Sequence, residues 1–158
     1  MKKTIEKALM SNNLKYSIIT DKTNQTVFNL GMELENSNID CYIDLRTIEN
    51  QVLIYTISPT KIPTNQRLRV AEYISRVNYD LLIGNFEINF EDGKIRYKAS
   101  YFYDNNFPNS EEVLLKNMSA AFQTIDKYIL GIMSIIFANV SPETAVNDIE
   151  KILDPCLN

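Results

Sequence analysis

Asp40 and Asp44 form one group of side chains that could do chemistry. Both lie at even-numbered positions of one predicted strand, so their side chains point to the same side of it, with Tyr42 between them. Two carboxylates on one strand face can share a proton or help to bind a divalent cation. The same alternation is also typical of the solvated side of a strand. We keep both interpretations and favour the solvated strand face.

A second group is basic and lies beside aromatic residues near Tyr101 and Phe102, an arrangement that can bind nucleic acid. Its members are Lys94, Arg96 and Lys98. The predicted pairing places Glu91, Asn89 and Glu87 opposite them, which largely neutralises the charge. The net charge of −4 and the pI near 4.9 also argue against nucleic acid or an anionic membrane as the partner.

Other catalytic and metal-binding patterns are missing from the sequence. It contains no His, which is the commonest general base and metal ligand. Cys41 and Cys156 lie far apart without metal-ligand spacing, and the 4 glycines are isolated, so no phosphate-binding loop is predicted. We therefore predict no enzyme activity, no metal and no cofactor. Two separate cysteines favour a reduced, cytoplasmic protein.

Hydrophobic periodicity predicts one α+β domain over residues 1–158, with an antiparallel sheet of five or six strands packed by helices. The predicted order is α-β-β-β(-β)-α-β-β-α-α. The strand over residues 52–58 is apolar on both sides, which is typical of a strand covered on both faces, although a binding surface would look the same. The long helix that follows Ser110 is apolar nearly all round from Tyr128 to Val140. This run is too short for a membrane span and favours burial on two sides or a dimer interface.

The dipeptide Asp92-Gly93 is the sharpest local signal, since this pair favours a two-residue β-hairpin turn. That turn predicts a register in which Phe90 faces Ile95 and Phe86 faces Ala99. The apolar side chains of both strands then lie on one core face.

These elements resemble the YbjN family, whose fold is that of type III secretion chaperones. The resemblance covers almost the whole chain and is carried mainly by structural and apolar residues: Ile62-Pro63, Asn78, Gly84-Asn85-Phe86, Ile88, Asp92-Gly93, Ile95, Tyr97, Asp126 and Ser141-Pro142-Glu143. We expect Asn78, Gly84, Asp92 and Gly93 to have structural roles. Family members are described as regulators of bacterial sensory transduction or as chaperone-like proteins, without an established reaction.

We therefore expect a non-enzymatic, cytoplasmic protein-binding module, chaperone-like or regulatory. The apolar run of the long helix from Tyr128 to Val140 predicts a homodimer, since closed dimers are the commonest oligomers. On the predicted alternation, Tyr42, Tyr55 and Phe102 are the large residues expected on the second sheet face, where half-exposed aromatics could anchor a protein partner. The competing interpretation is that neighbouring helices cover all three. An alternative function is a small-molecule sensor or minor enzyme with a pocket between the sheet and the long helix.

Overall fold

The structure is a computed structural model that describes residues 1–104 and 111–151. Its helices and strands, in chain order, are α1 (Lys2–Ser11), β1 (Ser17–Lys22), β2 (Gln25–Glu33), β3 (Asn38–Arg46), β4 (Gln51–Ile57), α2 (Arg67–Asp80), β5 (Asn85–Ile88), β6 (Ile95–Phe102), α3 (Glu111–Ala138) and α4 (Pro142–Lys151), with a 3-10 turn at Thr64–Gln66. The predicted α+β class and element order are confirmed. The predicted helix start at Ser110 and the second cysteine, Cys156, lie outside the described residues.

Six strands form one antiparallel sheet in the order β1-β2-β3-β4-β6-β5. Strands β1 to β4 are neighbours in sequence, and each follows its predecessor through a short turn. Strand β6 then pairs with β4, and the short strand β5 lies at the edge beyond it. Strands β1 and β5 are therefore the edges of the sheet, and β3 and β4 lie in its middle.

The core lies on one face of the sheet, which we call the helix-packed face. Alternate side chains of β3 and β4 point to it, and Cys41, Ile43 and Ile54 are fully buried there. Helix α3 packs on β4 and β6, while α1 and α4 pack against α3. The period-two apolar pattern of the strands thus meets the apolar side of α3.

Helix α3 is long and apolar enough to cross a membrane, if length and composition alone are considered. Its buried residues, however, contact other parts of the domain. Tyr73 of α2 packs against Gly131 and donates a hydrogen bond from its hydroxyl to the Tyr128 carbonyl over 3.0 Å. This close approach is available because glycine has no side chain. Helix α3 therefore packs as the central helix of the core.

The β5–β6 hairpin differs from the sequence prediction by two residues. Phe86 pairs with Tyr97 and Ile88 with Ile95, and residues 90–93 form a four-residue connection. Gly93 has the expected positive φ of 73°, but Asp92 does not, so the two-residue turn is wrong. A shift of two keeps the side chains that remain in the paired strands on their predicted faces, whereas a shift of one would not. Phe90 leaves the predicted core face and is half-exposed in the connection.

Candidate functional site

The second face of the sheet carries no helix among the described residues, and we call it the open face. Its central part is built from three rows, each running from β3 across β4 to β6. These rows are Asp40–Ile57–Arg96, Tyr42–Tyr55–Lys98 and Asp44–Leu53–Ser100. A fourth row, Arg46–Gln51–Phe102, lies at the end of the strands.

The structure brings two of the three predicted aromatic residues together on this face. Tyr42 and Tyr55 are directly paired across β3 and β4, and both are half-buried. The Arg96 guanidinium lies 4.7 Å from the centre of the Tyr55 ring. This cation–π contact covers one side of the Tyr55 ring, and no helix of the described part of the chain lies over either tyrosine.

Phe102 lies on the same face but is separate from the tyrosines. It pairs with Gln51 at the end of β6, four residues beyond Lys98, which pairs with Tyr55. Four residues of a strand correspond to about 13 Å. Its side chain is 74% exposed. The open face therefore carries a tyrosine pair at its centre and a separate exposed phenylalanine towards one end.

Strand β4 contributes an apolar strip to the open face. Leu53, Tyr55 and Ile57 alternate with the fully buried Val52 and Ile54 of the helix-packed face. Within residues 1–104 and 111–151, the helices pack on one side of the sheet, so no described helix covers the second side of β4. Among the described residues, its second apolar side is shielded by neighbouring side chains of the open face.

Charge is arranged asymmetrically on the two sides of this strip. The β3 side carries Asp40, which is exposed, and Asp44, which is buried to 5% exposure. Asp44 accepts hydrogen bonds from Arg46 Nε over 3.0 Å and from Gln25 Nε2 over 2.9 Å. Since that carboxylate is already satisfied, the two aspartates do not form a shared proton or metal site. Within the described residues, no three His, Cys, Asp or Glu side chains are grouped closely enough to hold a metal ion.

The β6 side of the strip carries Arg96 and Lys98, and both contact Glu87 of β5. Arg96 donates to Glu87 over 2.6 Å, and Lys98 forms an ion pair with the same carboxylate. The predicted charge ladder is shifted by two residues, because Glu87 pairs with Arg96 rather than with Lys98, and this one carboxylate contacts both cations. Although burial raises the pKa of Glu87, the hydrogen bonds from Lys98 and Arg96 lower it below its ordinary value.

The residues of the family resemblance have a different location, since they join chain segments around the core. The Asn78 amide accepts from the Phe86 N–H over 2.7 Å and donates to the Phe86 carbonyl over 3.1 Å. Gly84 has a φ of 70°, and a side chain there would collide with Tyr97. Both residues hold β5 against the domain.

The Asp92-Gly93 connection and the segment at Ile62 are joined through the backbone. The Ile62 N–H donates to the Gly93 carbonyl over 2.8 Å, and a Cβ atom on Gly93 would collide with the Ile62 carbonyl oxygen. The Asp92 carboxylate accepts from the Lys94 N–H over 3.0 Å, and this bond lowers the pKa of Asp92. Sequence reasoning missed this contact, since the two segments are far apart in the chain and only their joint presence in the resemblance hinted at it.

Asp126 has a comparable role on α3. Its carboxylate accepts hydrogen bonds from the Asn36 N–H over 2.9 Å and from the Ser37 hydroxyl over 3.2 Å. These bonds tie the β2–β3 turn to the middle of the helix. A cleft of about 390 Å³ lies beside this turn and is lined in part by Pro59, Ile129 and Met133. Its polar groups from the turn already bond Asp126, so they do not converge on an empty centre as a ligand site requires.

One family model matches most of the chain. The model of the YbjN family, described as "Putative bacterial sensory transduction regulator", matches residues 2–132. The chain belongs to the YbjN family. The family resemblance inferred from the sequence is thereby confirmed. No curated protein matches the chain.

Solved structures share the fold at low sequence identity. YbjN from E. coli, described as a "putative transcription regulator", is 16% identical, with a TM-score of 0.56 over 88% of this chain and 91% of that chain. An uncharacterised protein from Methanothermobacter thermautotrophicus is 17% identical, with a TM-score of 0.57 over 87% and 97% of the two chains. The HopA1–SchA chaperone–effector complex matches at 12% identity and a TM-score of 0.49, over 78% and 88%. The first two likenesses show the YbjN-type fold.

Proposed function

We propose that this protein is a non-enzymatic, cytoplasmic protein-binding module, chaperone-like or regulatory, and that its partner contacts the open face. The observation that carries the proposal is the apolar strip of β4, with the Tyr42–Tyr55 pair at its centre and no helix over it among the described residues. Half-exposed tyrosines on a rigid scaffold are typical anchors of protein interfaces, and charged residues around them form the rim.

The chemistry of the chain supports a non-enzymatic role. Burial raises the pKa of the Cys41 thiol to about 12, so it remains protonated and is a poor nucleophile. The sequence offers no His to act as a base beside a serine, threonine or cysteine. Binding rather than group transfer is therefore the activity that the open face supports best.

We also propose that the protein forms a homodimer. The apolar half of α3, which motivated this expectation, is mostly covered within the chain, since Ile129, Ile132 and Ile135 are buried. Leu130 and Phe137 remain exposed at 41% and 76%. These two side chains alone would bury too little area for a stable dimer interface. The open face is the larger surface available to a second copy.

The proposal is tested by affinity capture from the lysate of the source cell with tagged wild-type protein and three variants. Tyr42→Ala and Phe102→Ala remove anchors from the open face, while Tyr79→Ala removes an 89% exposed tyrosine from α2. We expect the first two variants to fold and to retain less of the proteins captured by the wild type, and Tyr79→Ala to retain them fully. Full retention by both open-face variants would exclude this face as the binding surface.

A further inference from the structure

Two copies of the open face have complementary charges when a two-fold axis along β4 relates them, but not when the axis runs across the strands. Acidic Asp40 lies on the β3 side of the apolar strip. Basic Arg96 lies on the β6 side of the same row, where Arg96 and Lys98 share the single carboxylate of Glu87 and leave that side net positive. We propose that the open face binds a second copy of this chain face to face, with a two-fold axis running along β4. The inference rests on the proposed function, because it names the partner of that same surface.

A two-fold axis along β4 places β3 of one copy over β6 of the second copy. Each row of one copy then lies over the same row of the second copy. Asp40 of one copy then faces Arg96 of the second copy, and the same contact repeats on the other side of the axis. In the next row, Tyr42 faces Lys98 of the second copy, which suits a cation–π contact. At the end of the strands, Arg46 likewise faces the exposed ring of Phe102 of the second copy.

The apolar strip falls on the axis itself. Leu53, Tyr55 and Ile57 of the two copies therefore meet each other and exclude water between the sheets. The other in-plane axis, running across the strands, would place β3 over β3 and β6 over β6. That arrangement brings aspartates towards aspartates and cations towards cations, which disfavours it. Charge thus selects the axis along β4.

The usual distance and angle between packed sheets allow this contact, and the area of the face indicates how tightly two copies would bind. Two sheets pack face to face about 10 Å apart with strand directions within about 30° of each other, so the row matching holds best near the middle of β4. Five strands spaced about 4.8 Å apart, with a length of about 20 Å, offer about 500 Å² per copy. This is the low end for specific interfaces, so we expect dissociation in the micromolar range.

Charge reversal tests the inference with purified protein in sedimentation velocity over about 1–100 μM. Asp40→Lys and Arg96→Glu each create two like-charge contacts in a symmetric dimer, and each should weaken self-association by about tenfold or more. In a mixture of the two variants, the introduced lysine of one copy faces the introduced glutamate of the other, and the second contact stays native. The mixture should therefore associate within about threefold of the wild type. Asp148→Lys, which makes the same charge change on an exposed part of α4, should change nothing.

Folding of the variants is checked by thermal melting, because Arg96 also holds Glu87. Asp40 is exposed on the open face, so its variant should melt like the wild type. If Arg96→Glu unfolds, Tyr55→Arg replaces it, since two arginines would then meet on the axis and abolish association, whereas Tyr79→Arg on α2 would not. A wild type that stays monomeric, or single variants that associate as tightly as the wild type, would overturn the inference.

These outcomes are distinct from those of the lysate capture. A monomeric wild type whose captured proteins are lost on Tyr42→Ala would refute the dimer geometry and leave the open face as a binding surface for another protein. Unchanged self-association and unchanged capture in both Tyr42→Ala and Phe102→Ala would refute both proposals.

Discussion

The two faces of the sheet differ in what their residues do. On the helix-packed face, the side chains are almost completely buried, and the residues of the family resemblance fix turns and edges around it. On the open face, Tyr42 and Tyr55 keep half-exposed rings and Asp40 is exposed. The residues of the family resemblance therefore maintain the fold, whereas we expect residues outside that set to bind a partner.

Two aromatic residues of β6 provide the sharpest test of this contrast. Tyr97 is fully buried on the helix-packed face, and its ring lies 5.2 Å from that of Phe86, while Phe102 is 74% exposed on the open face. We expect Tyr97→Ala to lower the free energy of unfolding by about 3–5 kcal/mol. Phe102→Ala should change it by less than about 0.5 kcal/mol. Urea denaturation of both variants measures the difference, and equal losses would contradict the assignment of the two faces.

A pair of glycines extends the comparison to the backbone. Gly93→Val places a β-branched residue at positive φ against the Ile62 carbonyl, and it should destabilise the domain by about 2 kcal/mol or more. Gly31 lies on the open face, where an added Cβ atom would have no heavy atom within 4 Å, so Gly31→Val should be neutral or slightly stabilising. Thermal melting compares the two. A stable Gly93→Val variant would argue against the contact between Ile62 and the hairpin connection.

Asn78 tests how β5 is held at its edge. Asn78→Ala removes both hydrogen bonds to the Phe86 backbone and should cost about 1–2 kcal/mol in the free energy of unfolding. Asn38→Ala, which changes an exposed asparagine on β3, is the matched control and should have no effect. Hydrogen exchange at β5 adds a local measurement, because the Asn78 variant should exchange faster there. Unchanged protection at Phe86 would refute this role.

The smallest effect is expected from the charges of the open face. The folded-state pKa of Glu87 is lowered by Lys98 and Arg96, so its contribution to stability is present above the ordinary value of 4.5 and is lost as the pH falls through the folded-state pKa. Water screens these ion pairs at the sheet edge, so the contribution is below about 1 kcal/mol. The difference in melting temperature between wild type and Glu87→Gln should therefore shrink as the pH falls below 4.5. A difference that stays constant with pH would show that the ion pairs do not stabilise the fold.

Sequence reasoning predicted the strands and their faces because side-chain alternation is a local property. It placed Tyr42, Tyr55 and Phe102 on one face, as the structure does. The hairpin register was wrong by two residues, because the choice between a two-residue and a four-residue connection depends on Arg67 and Ile62, which contact the connection from outside. The open side of β4 was also not predictable, since an apolar strand looks the same whether helices or a partner cover it.

The bond between Asp126 and the β2–β3 turn illustrates the same limit. It joins residues 90 positions apart, and no local pattern marks Asn36 as the partner. Long-range contacts of this kind come from tertiary packing, which a single sequence does not reveal.

Oxidative footprinting of the wild-type protein tests the central claim most directly, because it needs no substitution. Side-chain oxidation is measured by mass spectrometry for the purified protein at low concentration and for the same protein in lysate of the source cell. We predict that oxidation of Tyr42, Tyr55 and Phe102 falls in the lysate while that of the exposed Tyr79 does not change. Equal oxidation of Phe102 and the tyrosine pair under both conditions would contradict the open face as the binding surface.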